Sequence, residues 1–447
     1  MHAEDAEPPE LGRELGGGEA RLLEPITDVR DDLVSYERAH RVAHRALLVG
    51  EQVADVEVVA WIDHACPRRY QARVGPMASA LGDITIVDFS RILAGPLATM
   101  VLADLGATVI KVERPEGDDT RAWAPPYDDR GEATYFESVN RNKRSVVLDL
   151  KTDDGVTETR RLCDGADVVV ENFRPGVIER LGLGEDVLRA RNPGLVFCSI
   201  TGFGRGAGAA MPGYDLLVQA VGGLMSVTGE PDGPPEKAGV AVVDVICGLF
   251  AATGILAALR HRDATGEGQR VEVDLLTSLL AGLVNQSTAF TAGGHTPRRL
   301  GNRHPSIAPY ELLPAADGDL AIACGNDRQF QALCHVLGAP ELLEDARFAI
   351  NAARVGSRDE LRAELSARLA ARPAGEWATE LTEAGVPAGA VNDIPAAFAL
   401  AEQLGLDPIA EIARDDGTTA RLPRNPIGLS VTPVAYRLPP PQLNGGK

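Results

Sequence analysis

The sequence predicts an α/β fold, a mostly parallel sheet with helices on both faces. Short apolar runs alternate with helical patterns from residue 84 onward, and such alternation implies parallel strands joined by crossover helices. A chain of 447 residues has room for one large domain and a smaller one. Its 45% apolar and 24% charged content suit a soluble globular enzyme, and its 47 glycines and 30 prolines imply many turns.

The strands read in order at 84–89, 107–112, 145–149, 167–171 and 195–199, with a helix at 97–105 after the first. Past Gly239 the pattern is helical to about Thr288, interrupted by a short strand at 270–273. A linker at 293–297 leads to a smaller unit at about 300–391, with a strand at 320–323 and amphipathic helices at 328–337 and 376–384. The proline-rich tail ending at 438–441 is expected to be extended. Residues 1–76 differ: they hold His2, His40, His44 and His64 and show no strand–helix rhythm. Met77 stands directly before the organised sequence, so 1–76 is expected to be a disordered extension or to precede the true start of translation.

The formal net charge of −20 argues against nucleic acid as a partner, because a polyanion would be repelled. The six cysteines are scattered without paired spacing, so reduced thiols of a cytoplasmic protein are expected, with no metal site. No export signal is visible at the N-terminus. Residues 238–259 carry a single charge, Asp244. A charge at the centre of a membrane span costs about 2.5–3.5 kcal/mol on insertion scales, so a buried helix is expected here rather than a span.

That lone carboxylate is the most informative residue. It must be paired, solvated in a cleft or held by backbone donors, since burying it bare is costly. One reading makes it the N-cap of a helix over 245–259; the other makes it a working carboxylate. Either places it at a helix N-terminus, where the dipole favours ionisation and N–H groups could serve an oxyanion. Tyr214 and Asp215 offer a phenol and a second carboxylate ahead of a helix at 216–221. Asn172, Phe173 and Arg174 follow a strand, where parallel sheets place ligand loops, and Arg174 with Arg180 suits phosphate. The run 202–207 fits G-x-G-x-x-A, but Gly208, Pro212 and Gly213 follow instead of a helix, so a glycine-rich loop is expected rather than a dinucleotide site.

Taken together, the segments 88–96, 109–115, 140–145, 170–176, 213–215 and 239–244 stand in the order found in the class III CoA-transferases, the family of formyl-CoA transferase and carnitine dehydratase, which this chain resembles over about 81–438. The resemblance implies a doubly wound, Rossmann-like large domain at 77–292 completed by 392–447, a small domain inserted at 300–391, and an interlocked homodimer. It makes Asp244 the catalytic aspartate. It places Ala94, Leu148, Asp149, Leu150, Lys151, Asn172, Phe173, Arg174 and Arg180 against CoA, and Tyr214 and Asp215 near the reacting thioester. No cofactor beyond the CoA of the substrates is implied, and no membrane partner.

The chain also departs from the formyl-CoA enzymes. They carry His and Gln where Arg91 and Leu93 stand here, Arg at the place of Pro115, and a run of glycines where this chain has 301–310; their C-terminal segment after the prolines is also altered here. The pattern at 91–96 is more similar to succinate/glutarate and other dicarboxylate CoA-transferases. Arg91 or Arg303 is therefore expected to bind the far carboxylate of a dicarboxylic acid, with His304 as a further pocket candidate. The competing readings are an α-methylacyl-CoA racemase, which resembles this chain but has histidine where Tyr214 stands, and a non-catalytic CoA-binding protein in which Asp244 is a cap. A phenol of ordinary pKa, about 10, is a poor base for racemisation at neutral pH.

Overall fold

The chain divides into two units, Met1–Pro76 and Met77–Lys447. A computed structural model describes residues 79–445. The expectations placed on 1–76, its histidines, Cys66 and a start at Met77 lie outside the described residues.

Six strands form the central sheet: β1 (Thr85–Asp88), β2 (Thr108–Glu113), β3 (Lys143–Val147), β4 (Val168–Glu171), β5 (Val196–Thr201) and β6 (Arg270–Asp274). Their spatial order is β3-β2-β1-β4-β5-β6, and every pairing is parallel. This is the doubly wound α/β fold the alternation predicts. The order reverses between β1 and β4, and in such sheets ligands bind beyond the strand carboxyl ends at that reversal.

Successive strand residues point to opposite faces, so each face has its own core. One core joins Ile86, Val109, Val168, Val170, Val196 and Cys198 to helix α1 (Ala94–Asp104); the other joins Val87, Val112, Val169 and Phe197 to α2 (Asp153–Asp164) and α3 (Glu185–Arg191). After β5 come α4 (Asp215–Val221) and the 24-residue α5 (Val242–Thr265), and after β6 comes α6 (Leu275–Gly282). Helix α5 buries Val243, Cys247, Ala251, Ile255 and Ala258, spaced by about one turn, in the first core. Among described helices it is long and apolar enough to cross a membrane, yet that stripe packs on α1, β5 and β6.

Strand β3 begins two residues earlier than its apolar run suggests. Lys143 is a buried cation that the network below satisfies, so the ladder extends through it and Arg144, and Leu148 and Asp149 fall beyond its end. The smaller unit holds an antiparallel sheet of β7 (Tyr310–Pro314), β8 (Asp319–Ala323) and β9 (Ala388–Ala390), packed on α7 (Asp327–Val336), α8 (Arg358–Leu369) and α9 (Ala374–Glu383). A hairpin of β10 (Ile409–Ala413) and β11 (Thr419–Pro423) follows. The tail then returns to the large domain: Asn142 accepts from the N–H groups of Arg437 and Leu438 at 2.7 and 3.0 Å, and Arg437 donates to the carbonyls of Ala103 and Ala107.

Candidate active site

Two loops meet at the sheet's reversal point, one after β1 and one after β4. Asn172 clasps the backbone of Arg91 across the gap, accepting from its N–H at 3.0 Å and donating to its carbonyl at 2.8 Å. Beneath them lies a buried ionic network. Asp88 accepts from the Ser90 N–H and hydroxyl, from the Thr99 hydroxyl at 2.6 Å and from Lys143 Nζ at 3.2 Å. Lys111 Nζ donates to the Ser90 carbonyl and pairs with Asp118, each at 2.8 Å. Burial alone would raise the Asp88 pKa, but the Lys143 and Lys111 charges and the two hydroxyls hold it below the usual range. Burial pushes the Lys143 ammonium down to about 8. The network holds the β1 loop in a conformation it would not take alone: Ile92, a β-branched residue, has φ of 72°.

The second half of the site comes from α4 and α5. Ala241 is the N-cap residue of α5, so Asp244 is the third residue of the first turn and not a cap. The cap is supplied from α4: Asp215 Oδ1 accepts from the N–H of Val243 at 2.8 Å and of Asp244 at 3.3 Å. The N–H groups of Val242 and Val245 are bonded to the carbonyls of Val240 and Ala241. The end of the helix therefore has its donors occupied, contrary to the expectation that they serve an oxyanion. Asp215 Oδ2 accepts from Gln219 Nε2 at 2.5 Å, and Gln219 Oε1 accepts from the Ala238 N–H at 2.8 Å.

Asp244 is half-buried, and burial, with the Asp215 charge second, raises its pKa to about 7. The dipole does not keep it fully ionised, because removal from water outweighs it. Cys247, one turn on, is pushed up to about 12 by burial and stays a thiol at neutral pH. Gly248 lets α5 meet the start of α1; a Cβ there would lie 2.6 Å from the Ala94 carbonyl oxygen.

Between these halves is a cavity of about 230 Å³. It brings together Arg91, Ala94, Asn172, Phe173, Arg174, Tyr214, Asp215 and Asp244. Leu148 and Leu150 pack against the second core, as Phe173 does, but unlike it do not line the cavity, and Asp149 and Lys151 lie off it in the turn before α2. Arg180 ends the short helix Val177–Arg180 and also lies off it. Arg303 pairs with Asp359 at 2.7 Å, and His304 accepts from the Ser306 N–H while its ring packs on Tyr310. Neither residue lines the cavity.

As expected, the glycine-rich run from 202 opens no helix before Asp215; it forms a strap, 202–213, along the cavity. Its ends touch at Gly202 and Gly213, where a Cβ on the former would meet the Cα of the latter at 2.4 Å. Tyr135 and Gln219 escaped sequence reasoning. Tyr135 carries a phenol raised by burial and then by the charges of Asp244, Asp215 and Asp118, and Trp123 packs edge-on against it. Gln219 follows Asp215 by four residues, a spacing that puts both on one face of α4; that spacing was the one signal available for it.

The chain matches the sequence profile of CoA-transferase family III over residues 81–447. It belongs to that family. Similar curated proteins include a succinate–glutarate CoA-transferase of Agrobacterium fabrum, 45% identical over 370 residues, covering 81% of this chain and 92% of the relative. An acetyl-CoA:oxalate CoA-transferase of Acetobacter aceti is 40% identical, covering 78% of this chain and 88% of its own. The crystal structure of a CAIB/BAIF family protein from Brucella suis superposes with a TM-score of 0.74 at 43% identity, covering 82% of this chain and 97% of that one. The protein is thus an enzyme, a class III CoA-transferase, whose substrates are acyl-CoA and carboxylic acids.

Proposed function

We propose that this class III CoA-transferase moves CoA from succinyl-CoA, or another dicarboxylyl-CoA, to a second carboxylic acid, with Asp244 as nucleophile. The observation that carries the reading is the place of Asp244: a half-buried carboxylate on the cavity wall that caps nothing, because Asp215 already caps its helix.

An Asp244 oxygen attacks the thioester carbonyl carbon; the C–S bond breaks, CoA leaves as thiolate and a mixed anhydride forms. The thiolate then attacks the Asp244 carbonyl of that anhydride, the donor acid departs as carboxylate, and an aspartyl-CoA thioester remains. The acceptor carboxylate attacks this thioester, again expelling thiolate and forming an anhydride. Attack of the thiolate on the acceptor acyl carbon releases the new acyl-CoA and restores the Asp244 carboxylate. Each step exchanges one acyl bond for another, so no net proton is consumed. Holding the partners together contributes about 7–11 kcal/mol through effective molarity. The steps as written need no group beyond CoA.

Ala94, Asn172, Phe173 and Arg174 on the cavity, with 148–151 and Arg180 off it, form the proposed CoA path. Arg91 is the proposed partner of the far carboxylate: it lines the cavity, while its pair with Asp119 at 3.2 Å is about one-third exposed and exchangeable. Arg303 does not line the cavity and is not assigned this part. Tyr214 and Asp215 border the reacting carbonyl.

We also propose that two chains associate, because α5 leaves Leu249, Phe250 and Leu256 exposed and the helical region after β6 exposes Leu280, Val284 and Phe290. Light scattering on the purified protein reads the dimer directly. The substrate reading is tested by supplying succinyl-CoA with glutarate, oxalate, acetate or a branched acid and following each new acyl-CoA. Transfer to a dicarboxylate, lost in Asp244→Ala, is the expected result; exchange of the α-proton of a branched acyl-CoA without transfer would favour the racemase instead.

A further inference from the structure

We propose that Gln219 is a positioning residue of the transfer reaction: it fixes Asp215 in the orientation that sets the first turn of the Asp244 helix. The proposal rests on Asp244 being the nucleophile, as argued above.

Gln219 is fully buried on α4. Its amide uses both ends: Nε2 donates to Asp215 Oδ2 at 2.5 Å and lies 3.5 Å from the Val240 carbonyl, while Oε1 accepts from the Ala238 N–H at 2.8 Å. The free oxygen of Asp215, Oδ1, then takes the N–H groups of Val243 and Asp244. The segment that leads into α5 is consequently tied at 238 by Gln219 and at 243–244 by Asp215.

Only a side chain that donates and accepts at once suits this place. Glutamate would set a carboxylate against Asp215 Oδ2. Methionine would take this partner from the part-buried Ala238 N–H and Asp215 Oδ2, a loss that costs stability. A purely packing role would not require the amide, since a buried apolar side chain of similar volume would serve.

The relay has a directional signature. When Asp215→Asn is combined with Gln219→Glu, the new amide carbonyl at position 215 still accepts from Val243 and Asp244. The NH₂ of that amide donates to the new carboxylate at position 219, so the bond between the two side chains is kept with its direction reversed. The experiment uses the full chain as wild type, Q219M, Q219E, D215N and the D215N/Q219E pair. It measures kcat, the KM for succinyl-CoA, the melting temperature, and the rate at which succinyl-CoA with hydroxylamine labels Asp244.

The relay predicts that Q219E and Q219M lose about 10²-fold in kcat and labelling rate, with the succinyl-CoA KM within about twofold of wild type, as a displacement near 1 Å of the nucleophile would cause. The D215N/Q219E pair should recover labelling above Q219E alone. Labelling of Q219E at the wild-type rate, or a double variant no better than Q219E, overturns the relay. A wild type never labelled on Asp244 removes the nucleophile itself and both readings with it, so the two failures are told apart. Should Q219E not fold, Q219M and the swapped pair carry the same comparison.

Discussion

Asp215 caps the helix that carries Asp244, accepting the N–H of Asp244 itself at 3.3 Å and that of Val243 at 2.8 Å. One carboxylate thereby holds another in place while repelling its charge. Burial first and the Asp215 charge second lift Asp244 to about 7. A carboxyl lifted into this range has an ionisation visible in kinetics, if it is the proposed nucleophile.

Activity should follow the ionised form. The kcat/KM for succinyl-CoA is expected to rise with pH through about 7 and then level, since attack needs the carboxylate. Asp215→Asn removes the repelling charge and should move that midpoint to lower pH. A pH–rate series on both proteins reads it; a midpoint unmoved by D215N contradicts the assigned cause.

The same shift predicts a stability effect whose sign is fixed. A carboxyl whose folded pKa lies above its unfolded value contributes stability that is fully present below about 3.8 and is lost as pH rises through about 7. Asp244→Asn abolishes that loss. The variant should therefore melt above wild type at pH 8, on the order of 2 °C or more, with the difference shrinking toward pH 4. Paired thermal melts at the two pH values make the comparison.

Lys143 and Asp88 form a fully buried pair at 3.2 Å under the β1 loop. Lys143→Met leaves Asp88 short of its nearest cation and should cost about 3–5 kcal/mol, read by urea unfolding. Gly248→Ala places a methyl 2.6 Å from the Ala94 carbonyl and should cost about 1–3 kcal/mol while pushing α1 and the cavity wall away from Asp244. Wild-type stability in either variant would show that these contacts do not hold the site.

The sheet was legible because Val, Ile and Leu runs at 84–89, 107–112, 167–171 and 195–199 sit between helical stretches, and the core of a parallel sheet leaves that imprint. The start of β3 was not, because Lys143 is charged in sequence and buried in the fold, satisfied by Asp88. The motif 140–145 proves architectural in the same way: Asn140, Arg141 and Asn142 are buried, and Arg141 is clasped by Asp104 at 2.7 Å. Asp244 stood out because an isolated charge in an apolar helix demands a reason. Its cap came from Asp215, 29 residues earlier, a pairing no local pattern encodes. Gln219 and Tyr135 are set by tertiary contacts, and β9, three residues long, is too short for periodicity to mark.

Substrate choice should divide the two arginines. Arg91→Ala should raise the KM for a dicarboxylate acceptor by about 10- to 100-fold, the value of one charged hydrogen bond of about 1.5–3 kcal/mol, with little change for a monocarboxylate of similar size. Arg303→Ala, whose guanidinium is paired with Asp359, should change neither. Steady-state kinetics with matched acids decides; equal losses for both acids would remove Arg91 from this part.

Intact-protein mass after mixing with succinyl-CoA and hydroxylamine reports whether Asp244 becomes covalently acylated. The expected result is the mass change of a single hydroxamate, mapped to Asp244 by peptide analysis and absent from Asp244→Ala. An unmodified wild-type mass, together with transfer activity surviving in Asp244→Ala, would contradict acylation of Asp244.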